Sequence, residues 1–99
     1  MVQVNWTFQA KSDLKSVAEY IDRDSKLYAK FQVARIKNRA NILKSQILLG
    51  KIVPEIDKNS IRELIEGRYR VIYKIVSKNR IDILTIHHSS RDLKNRNIK

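Results

Sequence analysis

The feature that most constrains the fold is a run of three strand-like segments with very short gaps between them. The segments Ser60–Ile65, Arg68–Val76 and Arg80–His88 are rich in β-branched and aromatic residues, and only two or three residues separate them. Gaps of this length join antiparallel strands, because a parallel pair needs a crossover of a dozen residues or more. We therefore predict a three-stranded antiparallel meander over residues 60–88.

Two amphipathic helices precede the meander. Apolar residues recur at helical spacing over residues 8–22, and Thr7 is a candidate N-cap for this helix. Ser25 can cap a second helix whose apolar positions continue to Ile47, with Gly50 placed as its C-terminal cap. The short connection between the two patterns predicts an αα-hairpin.

The remaining segments complete an α+β fold. Met1–Trp6 alternates apolar and polar residues like a half-buried strand, and Lys51–Asn59 is predicted as a loop or short edge segment. The predicted order is β-α-α-β-β-β, in one domain spanning residues 1–99 with a polar, basic tail from about residue 89. A helix hairpin covers only one face of a sheet, so the other face is expected to be open or covered by a partner.

The charge points to anionic partners. The chain carries 21 Lys and Arg against 10 Asp and Glu, a formal net charge of +11. A surplus of this size attracts polyanions, with nucleic acid first and then an acidic protein or an anionic membrane surface.

Other classes of protein and site are disfavoured. The chain has no Cys, which excludes disulfides and thiolate metal sites. It contains no apolar run of about 20 residues and no secretory signal pattern, so we predict a cytoplasmic protein without a membrane span. His87 and His88 are neighbours in a strand and point to opposite faces, so no metal site and no cofactor are predicted.

The strand Arg68–Ile75 (RYRVIYKI) has two chemically different faces. One face is predicted to pack against the helices and consists of Tyr69, Val71, Tyr73 and Ile75. The other face carries the cations Arg68, Arg70 and Lys74, with Ile72 among them. This face is either simply solvated or a site for an anion.

Turn lengths give a crude pairing register. With Val76 facing Ile81, Arg70 lies across from His87, and a slip of one residue puts His88 there instead. In the preceding hairpin, the loop length decides which residues share the face of Arg70. A two-residue loop at Glu66–Gly67 sets Glu63 opposite Arg70 as an ion pair, whereas a longer loop sets Arg62 and Leu64 on the basic face.

Several segments together resemble the RelE/ParE superfamily of bacterial toxins. They are AKSDL (Ala10–Leu14), GKIVPE (Gly50–Glu55), IRELIEGRYRVIYKI (Ile61–Ile75) and ILTIHHSSRDL (Ile83–Leu93). The resemblance implies a toxin of a type II toxin–antitoxin module, neutralised by an acidic antitoxin. RelE-like members cleave messenger RNA on the ribosome, whereas ParE-like members poison DNA gyrase.

The resemblance to RelE-like toxins of the YoeB type implies a metal-independent ribonuclease, which is our leading expectation; gyrase inhibition without catalysis is the alternative. Glu55 matches the family's base and Arg70 its phosphate-holding arginine. His88 matches the acid by alignment, whereas the register favours His87. The residues expected to help bind RNA phosphates are Lys51, Arg62, Arg68, Lys74 and Arg91.

Each assignment has a plainer explanation. Glu55 is otherwise a solvated loop acid, Arg70 the structural partner of Glu63, and a histidine at a strand end a packing residue. Aromatic residues outside the meander are expected in the core or between the helices, namely Trp6, Tyr20, Tyr28 and Phe31.

Overall fold

The computed structural model describes residues 2–90 and residue 93, and this part of the chain forms two helices and one five-stranded sheet. The elements are β1 (Gln3–Trp6), α1 (Phe8–Asp22), α2 (Lys26–Ile42), β2 (Lys51–Ile52), β3 (Ile61–Glu66), β4 (Tyr69–Ser77) and β5 (Arg80–His88). The predicted α+β order and the meander are confirmed. The sheet order is β1-β5-β4-β3-β2, and the sheet is mixed because β1 runs parallel to β5.

Both helices begin at the predicted caps. The Ala10 amide donates to the Thr7 hydroxyl oxygen at 3.2 Å, and the Tyr28 amide donates to the Ser25 hydroxyl oxygen at 3.1 Å. The Thr7 hydroxyl also donates to the Ile83 carbonyl at 2.7 Å. Thr7 therefore ties the start of α1 to the neighbouring strand while it caps the helix.

Gly50 has a different role from the predicted one. Helix α2 ends at Ile42, earlier than the predicted Ile47, so Gly50 as its C-terminal cap is wrong. A Cβ on Gly50 would lie 2.6 Å from Cε1 of Tyr73 and 2.7 Å from the Glu63 carbonyl oxygen. The Gly50 amide donates to the Tyr73 hydroxyl, which donates to the Ile47 carbonyl, each at 2.9 Å. Glycine is required here because the backbone passes against a buried ring.

Apolar side chains pack on both faces of the sheet. The main core lies between the sheet and the helices and includes the fully buried Ile36, Val71, Tyr73, Ile81 and Ile83. A smaller cluster lies on the other face and consists of Val53, Ile61, Ile72 and Leu93, with Ile56 and Leu84 packed against it. The face expected to be open is therefore partly covered by the chain's own segments.

The predicted pairing of β4 with β5 holds far from the hairpin turn but not beside it. Arg70 pairs with His87, as predicted, whereas Ile81 pairs with Ile75 instead of the predicted Val76. Leu84 is the extra residue of a β-bulge, and its carbonyl accepts from the Thr7 hydroxyl at 3.2 Å. The bulge keeps Ile83 in the main core and lets Leu84 join the smaller cluster.

The β3–β4 hairpin has a two-residue loop, as in the first of the two predictions, but the loop begins one residue later. Glu66 pairs with Tyr69, so the loop is Gly67–Arg68. Gly67 has φ 60° at the first loop position, the pattern of a type II′ turn. Ile65 pairs directly with Arg70, and Glu63 lies diagonally beyond it on the same face.

The prediction that the aromatic residues pack inside is wrong for three of the four. Tyr20, Tyr28 and Phe31 are 63%, 56% and 56% exposed, whereas Trp6 packs against the main core. The buried positions of α2 include the small Ala29 and Ala40, which bring the helix close to its neighbours and leave its aromatic side chains outside. Within the described residues, neither helix is long and apolar enough to cross a membrane.

Candidate functional site

Arg70 of β4 lies between two glutamates. Its Nη1 and Nη2 donate to the two carboxylate oxygens of Glu55 at 2.8 and 2.9 Å. Its Nε and Nη2 donate to Glu63 at 3.1 and 2.8 Å. Arg70 is 8% exposed and Glu63 4%, whereas the Glu55 side chain is 40% exposed. We call these three residues the Arg70 cluster.

The cluster uses most of the hydrogen-bonding capacity of Arg70. A guanidinium has five N–H donors in a fixed plane, and four hydrogen bonds link Arg70 to the two carboxylates. A phosphate could gain a forked contact with Arg70 only by displacing one of the two carboxylates.

The ion pairs shift the pKa of both partners. The hydrogen bond from Arg70 lowers the pKa of Glu55 from 4.5 to about 2, and burial opposes this shift. The bond to Glu55 raises the pKa of Arg70 above its ordinary value. Glu55 is thus ionised at neutral pH, but a carboxylate with so low a pKa is a weak general base.

The lowered pKa of Glu55 predicts acid sensitivity. Its ionised form stabilises the fold above its unfolded-state pKa of 4.5, and this contribution is lost as pH falls from about 4.5 to about 2. Because Glu55 is 40% exposed, water screens the pair, and we expect a loss of about 1–2 kcal/mol. Unfolding free energies measured between pH 6 and pH 2 by urea denaturation test this.

Two variants isolate the contribution of Glu55. Glu55→Gln should show a shallower loss of stability over this pH window than the wild type. Glu19→Gln removes an exposed glutamate of α1 and should leave the slope unchanged. Equal slopes in wild type and Glu55→Gln would contradict the assignment.

The sheet face around Arg70 carries acids as well as cations. Lys51 pairs with Glu63, and Lys74 pairs with Asp82, so both lysines share the face of Arg70. Arg80 lies two residues before Asp82 on β5 and donates to it at 2.9 Å, so this face carries four cations and three acids. The acids come from two neighbouring strands and a loop and offset most of this positive charge, and phosphate binding by Lys51 and Lys74 stays a prediction.

The other predicted phosphate-binding residues lie apart from Arg70. Arg62 pairs with Tyr73, so its side chain is on the helix side of the sheet, and it donates to the carbonyls of Gly50 and Asn59 at 2.9 and 3.0 Å. Arg68 is exposed in the β3–β4 turn. Arg91 lies outside the described residues.

The structure distinguishes the two histidines. His87 is buried on the face of Arg70, directly across from it, and its charge also lowers the pKa of Glu55. His88 faces the other way, with its ring edge-on to Tyr69 at 5.3 Å and its Nδ1 accepting from the Ser90 amide at 3.2 Å. Of the two residues left open by the sequence, His87 lies with the Arg70 cluster.

Asp13 of α1 makes contacts that the sequence analysis does not predict. Its Oδ2 accepts from the Thr85 hydroxyl and from the Ile86 amide, the latter at 3.1 Å. β1 ends at Trp6, opposite Ile83, so the amide of Ile86 lies beyond the reach of that strand. Asp13 therefore provides the hydrogen-bond acceptor that a neighbouring strand would otherwise offer to this amide. It lies within the AKSDL segment, but spacing alone does not indicate a contact with a strand more than 70 positions away.

No three His, Asp or Glu side chains converge in a metal-binding arrangement in the part of the chain that the structure describes. The expectation that no metal or cofactor is needed stays a prediction.

Comparison with known proteins identifies the family of this chain. The family model described as "ParE toxin of type II toxin-antitoxin system, parDE" matches residues 4–93. Toxin RelE2 of Caulobacter vibrioides is 31% identical over 91 residues, covering 92% of this chain and 99% of that protein. A chain of the chromosomal ParDE TA system from P. aeruginosa superposes with a TM-score of 0.72 at 22% identity, covering 89% of this chain and 96% of its own length. That structural likeness concerns the fold alone.

Proposed function

Since the chain belongs to the ParE toxin family of type II toxin–antitoxin systems, we propose that it acts as a protein-binding toxin directed at DNA gyrase. The observation that carries this proposal is the Arg70 cluster. The two residues best suited to RNA cleavage, Glu55 and Arg70, are bound to each other, and Glu63 holds Arg70 from the other side.

The geometry supports binding over catalysis for chemical reasons. Cleavage of RNA without a metal needs a base for the 2′-OH proton and free donors for the charge that develops on the phosphate. Glu55, with a pKa of about 2, has little affinity for a proton, and Arg70 has most of its donors engaged. A toxin that only binds its target needs neither group free.

The antitoxin surface is proposed on the helix hairpin. A groove between α1 and α2 has apolar walls that include Leu14, Ala18 and Val33. We call it the lysine-rimmed groove, because its charged residues are five lysines, Lys11, Lys15, Lys26, Lys30 and Lys37, and two acids, Glu19 and Asp22. An acidic, amphipathic antitoxin segment fits this groove, because its apolar side chains meet the walls and its carboxylates meet the lysines.

The proposal predicts that the purified toxin inhibits supercoiling by gyrase and accumulates gyrase–DNA breaks, and that Glu55→Gln retains both effects. Supercoiling assays on plasmid DNA measure the first effect, and linearised plasmid after protease treatment measures the second. In cells, messenger RNA should stay intact when the toxin is induced. Normal gyrase activity at saturating toxin would contradict the proposal.

Ribosome-dependent messenger RNA cleavage is the second candidate. The observation favouring it is that Glu55, Arg70 and His87 lie on one face of the sheet. Its signature is a set of codon-phased 5′ ends that appear on induction. These ends should vanish in His87→Ala and persist in His88→Ala, since His88 points to the other face.

A further inference from the structure

Helix α2 exposes large apolar side chains on a strongly basic protein. Leu27, Tyr28 and Phe31 are 66%, 56% and 56% exposed, and their spacing puts them side by side on the helix. None of them is used by the Arg70 cluster or by the lysine-rimmed groove. A contiguous exposed apolar patch on a small protein marks an interaction surface.

A cavity of about 230 Å³ opens within this patch. It is lined by Tyr28, Phe31, Gln32 and Arg35. Its volume is below that of a pocket for a drug-sized ligand and suits a single side chain with its adjoining polar group.

Gln32 gives the cavity its chemical character. This side chain is 5% exposed, and among the described residues its Nε2 has no hydrogen-bond partner. Its amide packs against Gly67, where an added Cβ would lie 3.4 Å from Oε1. A buried amide donor left without an acceptor is rare in folded proteins. Nε2 has almost no exposed surface, so the side chain has to turn toward the cavity before an acceptor of a ligand can satisfy it.

Arg35 adds a positive charge to the same cavity. In the described part of the chain, no carboxylate lies within salt-bridge distance of its guanidinium. An Arg beside an amide donor matches a carboxylate, because both groups donate to its oxygens. Tyr28 and Phe31 supply the apolar wall beside these donors.

We propose that this cavity binds an acidic segment of a partner protein, with one apolar side chain held against Tyr28 and Phe31. A carboxylate next to that side chain accepts hydrogen bonds from Arg35 and from the Gln32 amide, which turns toward the cavity on binding. A second copy of the chain is a poor occupant, since its net charge of +11 repels an identical surface. The cavity shares no lining residue with the lysine-rimmed groove, so both surfaces can be occupied at once.

Peptide titration followed by NMR tests the proposal on the full chain. The probe is N-acetyl-Asp-Phe-Asp-amide, and the matched peptides are N-acetyl-Asn-Phe-Asn-amide and N-acetyl-Asp-Ala-Asp-amide. We expect a saturable shift of the Gln32 side-chain NH₂ resonances with the first peptide and at least tenfold weaker binding of the other two. Equal binding of all three peptides, or no saturable shift, would overturn it.

Variants separate this cavity from general attraction to a basic protein. Arg35→Ala should weaken binding of the probe peptide about tenfold, because it removes a charge-assisted contact. Arg23→Ala removes an exposed arginine at the end of α1 and should leave binding unchanged. Equal losses of affinity in both variants would mean that net charge alone explains the binding, and this would overturn the proposal. Resonances of Tyr28 and Phe31 that move on dilution of the free toxin would instead indicate self-association and would also overturn the proposal.

Discussion

Replacing Arg70 with methionine is expected to destabilise the protein by about 3–5 kcal/mol, a large part of the 5–15 kcal/mol typical of a small domain. The variant leaves the carboxylate of Glu63, which is 4% exposed, without its counter-charge. Glu55 is closer to water and can rehydrate. Urea unfolding followed by circular dichroism measures the loss.

A double variant shows whether the loss comes from the stranded charge. Arg70→Met combined with Glu63→Leu replaces the buried pair by apolar side chains, a change that is often neutral or stabilising. We expect the double variant to recover most of the stability lost by Arg70→Met alone. If the unfolding free energy of Arg70→Met alone lies within about 1 kcal/mol of the wild-type value, the cluster does not stabilise the fold.

Gly50→Ala is expected to cost about 3–4 kcal/mol. The added methyl group would meet the Tyr73 ring at 2.6 Å and the Glu63 carbonyl oxygen at 2.7 Å. Tyr73 is fully buried and Glu63 belongs to a central pair of strands, so neither can move without disturbing the core or the sheet. The shift would also lengthen the hydrogen bond from Gly50 to the Tyr73 hydroxyl.

Gly67→Ala is the matched control for this prediction. Gly67 has a positive φ, but an added Cβ would meet its nearest neighbour, Gln32, at 3.4 Å. The cost there is backbone strain of about 1–2 kcal/mol. In thermal and urea unfolding, Gly50→Ala should be clearly less stable than Gly67→Ala. The reverse order would show that the contacts around Gly50 yield easily.

Local spacing was enough to predict the elements and one end of the meander. The pairing of Arg70 with His87 followed from the three-residue turn that was assumed after Val76. The assumed pair of Val76 with Ile81 is nevertheless wrong, because the register shifts between Ile75 and Ser77 and Ile81 pairs with Ile75. The bulge at Leu84 shifts the pairing back, so the predicted register holds again at Arg70. Turn length alone shows neither irregularity.

The candidate site was harder to predict because its charges come from separate segments. An ion pair between Arg70 and Glu63 was one of two outcomes for a single hairpin, and it is present, although diagonal. The second carboxylate comes from Glu55, in a loop whose path is set by Val53 and Ile56 packing on the sheet. The sequence identified Glu55 and Arg70 but not that they neutralise each other.

Helical periodicity did not identify the outer surface of α2. Its buried residues are Ala29, Gln32, Ile36 and Ala40. A polar residue inside and two aromatic residues outside reverse the usual pattern, which is why the sequence predicts Tyr28 and Phe31 in the core or between the helices. Such reversals are expected where a surface serves a partner.

The central claim is that the Arg70 cluster holds the fold together and takes no part in catalysis. The most direct test is survival of cells on induction of the triple variant Glu55→Gln, Arg70→Met, Glu63→Leu. This variant removes the candidate base and the candidate phosphate-binding residue but leaves no buried charge unpaired within the cluster. We predict that it folds and kills cells as the wild type does. A folded but harmless triple variant would contradict the claim and point to catalysis at this site.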